Sequence, residues 1–548
     1  MNTEPVRSGP RHLFAIGTSL VVGGVLLHLP LYFSARHLGY RLGMPPMPGM
    51  AMTMPAGPML AMNLGMSVLV IGLVVSAIGL FRRTDPTSVP RHRSLPSASA
   101  PATAPTDRLH PAHWRLIAIL VLAVAIDTQK PYTFTFILPA VAQEYGLSSP
   151  AHPVLGMPTV TWLPLMGITG TVLGSFLWGI VGDRVGRRAA LLFAVVLFVG
   201  TSVCGVMPTF WGNAAMCFVM GLGAGGMLPA AFALLAETMP ARSRGWILVL
   251  VAGTGTALGF VIASELATWV MPTFSWRMLW LAGLPSGLLL LAVSRWIPES
   301  PRHLLLRGRE AEAQAVLATF RAPMPALHPV GPRAGFASLF KAPFTAVTLG
   351  LVASAGAIGV VTYGFLVWLP SNLAAHGLSS THITHLIADS ALVAMPVSAL
   401  VAWLYTRWSA RRTLIAAVVL TAVVLTLVAL LGTRIAGSTP LLVAMVALVL
   451  VGAWAATAVV TPYSTEIYPT AVRARGAALT AGATKLGGVI ALTMSIAEIA
   501  PPGLSSSAWL AVVPIAIGAV VLIAAAVETS ARPLESIALT ATAKEMAR

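Results

Sequence analysis

Charge is scarce in this chain. Asp, Glu, Lys and Arg together make up 9% of its 548 residues, against 57% hydrophobic ones, and the mean hydropathy is +0.83. So little polar surface cannot clothe a dozen or more helices in water, which excludes an ordinary soluble protein. Cysteine is scarcer still: Cys204 and Cys217 both lie in apolar segments and give no disulfide framework. Lysine occurs only as Lys130, Lys341, Lys485 and Lys544, so arginine carries the net charge of +17. Those arginines sit in short loops with no aromatics interleaved, a distribution that argues against a nucleic-acid partner. No nucleophile–base set, phosphate-cradling loop or zinc-ligand spacing occurs. An enzyme, a bound cofactor and a nucleotide as direct energy source are therefore not expected. The first apolar run, Leu13 to Phe33, lacks a small-residue cleavage site and does not read as a cleavable signal.

What the chain has in abundance is apolar runs of about 20 residues, enough to cross a bilayer core. Fourteen are expected. Two come first, near 13–33 and 59–81, followed by a Pro/Ser/Ala-rich segment, 84–113, that reads as a flexible linker. Twelve more lie near 115–139, 160–181, 189–208, 210–235, 246–269, 278–297, 344–369, 384–404, 413–432, 439–463, 476–498 and 508–527. The hydrophilic stretch 298–341 divides these twelve into six and six. The expected organisation is therefore 1–83, two extra helices; 84–113, linker; 114–297, first six-helix bundle; 298–341, central loop; 342–528, second bundle; and 529–548, tail.

Arginine placement sets the expected orientation. With the N-terminus inside, the inner segments hold nineteen arginines, among them Arg184, Arg187, Arg188, Arg242, Arg244, Arg302, Arg407, Arg473 and Arg475. The outer loops hold only Arg36, Arg41, Arg277 and Arg434. Both termini and the central loop are thus expected in the cytoplasm, in a bacterial inner (plasma) membrane.

Three patterns fall in the inner loops. Gly179-Ile-Val-Gly-Asp183-Arg184-Val-Gly186-Arg187-Arg188 joins the second and third of the twelve spans. Gly186 permits a tight turn, and Asp183 is placed to cap the next helix or to pair with a cation across a gate. Glu237-Thr-Met-Pro240-Ala-Arg242-Ser-Arg244 follows the fourth span, and Glu466-Ile-Tyr-Pro469-Thr-Ala-Val-Arg473 follows the tenth. Their Glu, Pro and Arg share one offset (466 − 237 = 229, 469 − 240 = 229, 473 − 244 = 229). A degraded echo of the first pattern, Thr406-Arg407-Trp-Ser409-Ala-Arg411, follows the eighth span. A duplicated six-helix unit explains the offset and places a solute site near mid-membrane, between the halves. The third pattern, Pro298-Glu299-Ser300-Pro301-Arg302, closes the sixth span, and Glu528-Thr-Ser-Ala-Arg532 stands after the last.

Over about 115–540 these motifs resemble the major facilitator superfamily, and within it the sugar-porter and metabolite:proton-symporter branches, including relatives of the synaptic-vesicle glycoproteins. The resemblance implies an all-α membrane fold of two six-helix bundles that rock about a central cavity, here preceded by two extra helices. It implies gate latches at Gly179, Asp183, Arg184, Gly186, Arg187, Arg188, Glu237, Arg244, Glu299, Arg302, Glu466 and Arg473. Similar organic-acid symporters carry Asp-Gly-aromatic-Asp in the first core helix. This chain reads Asp127-Thr-Gln129-Lys130 instead, and Cys217 stands where many relatives have arginine.

Ionisable groups inside the spans are costly in hydrocarbon and mark either a pathway or a packing pair. Asp127 is expected ~18 Å along a helix starting near Arg115, with Lys130 one turn on and on the same face. Lys485 lies about 15 Å into its span and is followed by Gly487 and Gly488, which allow close approach. These three, with Gln129, Tyr132, Tyr363 and Trp368 as candidate solute contacts, form the expected central cavity and proton-coupling group. Asp389 and Glu265 lie nearer the outer ends and read equally as surface carboxylates.

The outer loop between the extra spans carries Met44, Met47, Met50, Met52 and Met54, soft thioethers that suit monovalent copper or serve as flexible hydrophobes. The expectation is a transporter of a small organic solute, an organic anion or metabolite ahead of a sugar, by alternating access with protons as co-substrate. Copper or other soft-metal transport and a transporter-like solute sensor are the alternatives. The partners expected are the lipid bilayer, the solute and protons.

Overall fold

The computed structural model describes residues 9–32, 56–81, 109–149, 154, 158–207, 209–322, 324, 336–375, 377–435, 438–468, 472–497 and 504–529. The loop Met44–Met54, Pro469, most of the linker and nearly all of the tail lie outside them, as do the side chains of Asp183 and Arg473.

Among the described residues fourteen helices are long and apolar enough to cross a membrane. The first two are α1 (His12–Tyr32) and α2 (Met59–Phe81). The next six are α3 (Pro111–Tyr145), α4 (Trp162–Gly182), α5 (Arg187–Val206), α6 (Phe210–Thr238), α7 (Arg242–Trp269) and α8 (Arg277–Trp296). The last six are α9 (Thr345–Ala375), α10 (Ser380–Arg407), α11 (Ala410–Leu431), α12 (Pro440–Ile467), α13 (Arg475–Ile496) and α14 (Ser505–Ala525). Two short helices, Pro301–Leu306 and Glu310–Phe320, occupy the stretch between the sixes.

The extra pair is a hairpin held by small residues at heptad spacing. A side chain on Gly17 would strike Gly72 and Ser76, one on Gly24 would strike Gly65 and Leu69, and one on Gly79 would strike Phe14. Lipid tails are as apolar as leucine, so helices associate in a membrane by close backbone approach, which these glycines permit. The hairpin seats Val21, Val25, Tyr32 and Leu69 against Val196, Val199 and Val203 of α5 and Leu281 and Leu284 of α8. The Tyr32 hydroxyl donates to the Ser202 carbonyl.

Several spans depart from the uninterrupted helices that composition suggests. Helix α3 begins at Pro111, because proline at N1 needs no hydrogen-bonded N–H and His110 accepts from Ala112 N at 3.4 Å. The last residues of the expected linker therefore belong to the helix. Asp127 lies 127 − 111 = 16 residues in, ~24 Å rather than ~18 Å, which is the middle of a 35-residue helix. Helix α5 tightens to a 3-10 turn over Thr201–Val206, and α6 is interrupted between Ala224 and Met227. Helix α9 holds a π segment, Val361–Phe365, a wider turn that recurs at functional sites.

The two sixes meet along α7, which packs on α10 and α12, along α4 against α13, and where the half of α9 beyond the π segment packs on α3.

Candidate functional site

At mid-membrane three elements converge. Asp127 of α3 is buried, and its Oδ1 has no hydrogen-bond partner among the described residues. The cation facing it is Lys485 of α13, and Tyr363 of α9 is the phenol beside it. Isolated charges at this depth cost about 2.5–3.5 kcal/mol each on insertion scales, so placing opposite charges in mutual view offsets part of that cost. No ion pair closes between them, however. The Lys485 ammonium donates instead to Ser175 Oγ and, at 3.3 Å, to the Thr171 carbonyl, both on α4 of the other bundle.

Glycines bring Lys485 there. A side chain on Gly487 would strike the Gly356 backbone, one on Gly359 would strike Thr484, and one on Gly488 would strike the Tyr363 ring. Helices α9 and α13 thus cross at near backbone contact, with Tyr363 lodged on the π segment between them.

A run of aromatic rings continues from Tyr363, whose phenol lies near that of Tyr132. Tyr132 meets Phe260 of α7 edge-on at 4.9 Å between centroids, and Phe260 meets Trp454 of α12 at 5.8 Å. The Trp454 indole lies beside the Tyr132 phenol. Phe260 and Trp454 were not among the sequence candidates, nor were Ser175 and Thr171. Their one signal was an aromatic or hydroxyl side chain in an aliphatic span, which many residues share.

Three candidates stand elsewhere. Lys130 does not join Asp127: it is fully buried within the first bundle, with Nζ 2.5 Å from the Phe198 carbonyl and 3.0 Å from Thr201 Oγ1. The Phe198 ring lies 4.0 Å below it. The ammonium serves a carbonyl where α5 leaves its α-helical ladder, a polar demand that helix spacing did not reveal. Gln129 is two residues from Asp127, about 200° round the helix, so it is turned from that face; its Nε2 is buried without a partner among the described residues. Trp368 lines a small cavity within the second bundle with Phe365, Ser495 and Ser507.

One end of the bundles carries the loop motifs. Gly186 adopts φ +108°, a conformation other residues rarely hold, and lies flush against the Glu299 carboxylate. Glu299 Oε1 accepts from Arg188 N at 3.1 Å, and Ser300 Oγ donates to Glu237 Oε2. Arg307 donates to the Arg184 carbonyl, while Arg187 and Arg302 lie near Glu237. Beside this network burial lowers the His303 imidazole from its usual range, with Glu299 acting the other way.

The second bundle repeats the arrangement. Glu528 Oε1 accepts from Ala410 N at 3.1 Å, and Thr529 Oγ1 donates to Glu466 Oε2 at 2.7 Å. The offsets are again one number: 528 − 299 = 229 and 529 − 300 = 229. Glu528 and Thr529 thus occupy the places of Glu299 and Ser300, a correspondence the sequence carried but motif reading left unused. Glu466 also accepts from Tyr405 at 2.7 Å and rests against Gly245 of the opposite bundle, with Arg244 nearby. Gly179 has open space around it, and the side chains of Arg184 and Arg302 are exposed.

The Gly245 contact gives a direct test of closure at this end. Valine there would push on a carboxylate already pinned by Tyr405 and Thr529. Overpacking of this kind costs ~1–3 kcal/mol, so Gly245→Val is expected to lower initial uptake about 5- to 150-fold at unchanged membrane level. Uptake equal to the parent in proteoliposomes of matched protein content would remove this contact from the transport cycle.

Comparison with known proteins agrees with this architecture. The family model described as Major Facilitator Superfamily matches residues 120–492. The niacin transporter NiaP of Acinetobacter baylyi is 26% identical over 442 residues, 78% of this chain and 97% of that protein. A gallate transporter of Pseudomonas putida is 28% identical, covering 69% of this chain and 83% of that one. A proton:xylose symporter structure, XylE bound to 6-bromo-6-deoxy-D-glucose, superposes with a TM-score of 0.65 at 17% identity, over 78% of this chain and 98% of that one, and shows the fold. With its family model spanning more than half the sequence, the chain belongs to the major facilitator superfamily, as a multi-pass membrane transporter whose twelve-helix fold is preceded by two further helices.

Proposed function

We propose that this protein moves a small aromatic carboxylate together with a proton by alternating access. Asp127 takes the proton and Lys485 receives the solute carboxylate. The observation that carries the reading is the buried Asp127 facing Lys485 across the bundle interface, with Tyr363 beside it and the rings of Tyr132, Phe260 and Trp454 running on from there. A flat anion needs a cation at one end and ring edges or faces along its sides, and this group supplies both. Niacin and gallate, which the relatives' names specify, are both small aromatic carboxylic acids. A monovalent carboxylate entering with one proton adds no net charge to the mid-membrane site, which keeps the moving state affordable in low dielectric.

The motif-bearing end is the cytoplasmic one in this reading, in a bacterial inner membrane, because the arginine-rich loops lie there. The duplicated Glu237–Ser300 and Glu466–Thr529 pairs then lie at the inner gate, with Arg188, Arg244 and Glu299 beside them. Asp183 and Arg473 belong to the same loops.

Uptake into proteoliposomes tests the reading with niacin, gallate, xylose and monovalent copper, with and without an imposed pH gradient. Accumulation of an aromatic acid only under the gradient is expected. Gradient-independent accumulation, or transport of xylose or copper in place of the acids, overturns it.

A further inference from the structure

We propose that Ser175, with the Thr171 carbonyl, is a positioning residue that holds the Lys485 ammonium off Asp127, keeping that carboxylate open to a proton and the space between them open to a solute carboxylate. The inference rests on the proposed function and assigns a role to a residue outside the central charge pair.

The geometry defines the part each atom plays. The Ser175 hydroxyl has one proton, and two backbone carbonyls compete for it: Thr171 O at 2.8 Å and Gly225 O at 3.2 Å. Its oxygen is therefore left as an acceptor, and the donor it accepts from is Lys485 Nζ. The hydroxyl cannot turn to suit a different partner without giving up its own carbonyl. Its place is fixed as well, because α4 is clamped to α6 by glycines. Side chains on Gly170 and Gly174 would strike Phe218 and Leu222, and one on Gly225 would strike Thr171 and Ser175. An ammonium spends its donors on fixed acceptors where these are available, so two groups of one first-bundle helix, α4, hold a cation that belongs to the second bundle.

Among the described residues, two ionisable groups act on Asp127. Lys485 comes from α13 and Tyr363 from α9, while Lys130 on its own helix turns to Phe198 and Thr201. Helix α7, packed along α3, meets Thr128 and Gln129 with Gly259, and its ionisable residues, Arg242, Arg244 and Glu265, lie toward its two ends. Without the Ser175 hydroxyl, the Lys485 ammonium keeps only the longer 3.3 Å bond to the Thr171 carbonyl, and the Asp127 carboxylate becomes its strongest partner. A direct ion pair favours the ionised acid, so protonation would then require a more acidic outer solution.

The test is the pH profile of gradient-driven niacin uptake by the full-length chain. Ser175→Ala is expected to move the profile about one pH unit to the acid side, roughly a tenfold change in proton concentration at half-maximal rate. Ser175→Thr, which keeps the hydroxyl, is expected to restore it. In an Asp127→Asn background Ser175→Ala should no longer shift the pH profile of niacin exchange, because no carboxylate remains to capture the lysine, and a shift of the same size there overturns the role. An unshifted profile in Ser175→Ala, with Lys485→Gln still defective, overturns the positioning role while the proposed function stands. Normal gradient-driven uptake by both Lys485→Gln and Asp127→Asn overturns the proposed function itself.

Discussion

Asp127→Asn is expected to abolish accumulation driven by a pH gradient while leaving exchange of solute across the membrane. One pH unit across the bilayer is worth 1.36 kcal/mol per proton, so a transporter moving one proton per solute concentrates it about tenfold per unit. Asparagine keeps the shape of the side chain and cannot carry the proton, so the same gradient should leave the inside and outside concentrations about equal. Counterflow of labelled against unlabelled niacin should persist, because loaded carriers still reorient. Lys485 keeps its bonds to Ser175 and the Thr171 carbonyl in this variant, so the protein should reach the membrane in normal amount. Accumulation near tenfold by Asp127→Asn would place the proton elsewhere. The next carboxylates are Glu265, which accepts from Trp269 Nε1 at 2.8 Å, and Asp389, which is exposed on α10.

Reading this chain from its residues worked where bilayer physics acts on composition. A helix must satisfy its backbone in lipid and span about 30 Å, so long apolar runs announce themselves, and all fourteen lie close to their expected places. The duplication was legible through Glu237 and Glu466 because sequence alone preserves an offset. The sites of interruption were not legible. The tightened end of α5 starts at Thr201-Ser202, the gap in α6 falls at Gly225-Gly226 and the π segment of α9 holds Thr362-Tyr363-Gly364. Similar small and polar residues recur where these spans run on as helix. Lys130 shows the consequence. Three residues of helix place it within about 60° of Asp127 on a wheel, yet it serves the Phe198 carbonyl at the tightened end of α5. Trp368 was chosen as an aromatic in the right span, but its ring faces a cavity inside the second bundle. Ser175 was overlooked for the opposite reason. Serine in a membrane helix ordinarily bonds back to its own turn, as Ser390 does to Leu386 at 2.7 Å, and nothing local distinguishes one that meets a lysine 310 residues away.

The largest effect on solute binding is expected at Lys485. A carboxylate that loses a charge-assisted hydrogen bond loses about 1.5–3 kcal/mol, or roughly 10- to 150-fold in affinity. Lys485→Gln should therefore raise the KM for niacin by that factor, with a smaller change in the rate at saturation. Arginine should recover part of the loss, because it keeps the charge but presents a planar fork where the lysine offers a compact head. Removing the cation also leaves Asp127 buried without its facing charge, a defect that lowers folding yield as well as binding. The double variant Lys485→Gln/Asp127→Asn separates the two, since it holds no uncompensated charge at mid-membrane. It is expected to express like the parent and still bind niacin weakly. If the double variant instead binds niacin with the parent's KM, the carboxylate does not sit on Lys485, and the aromatic run of Tyr132, Phe260 and Trp454 must recognise a neutral solute.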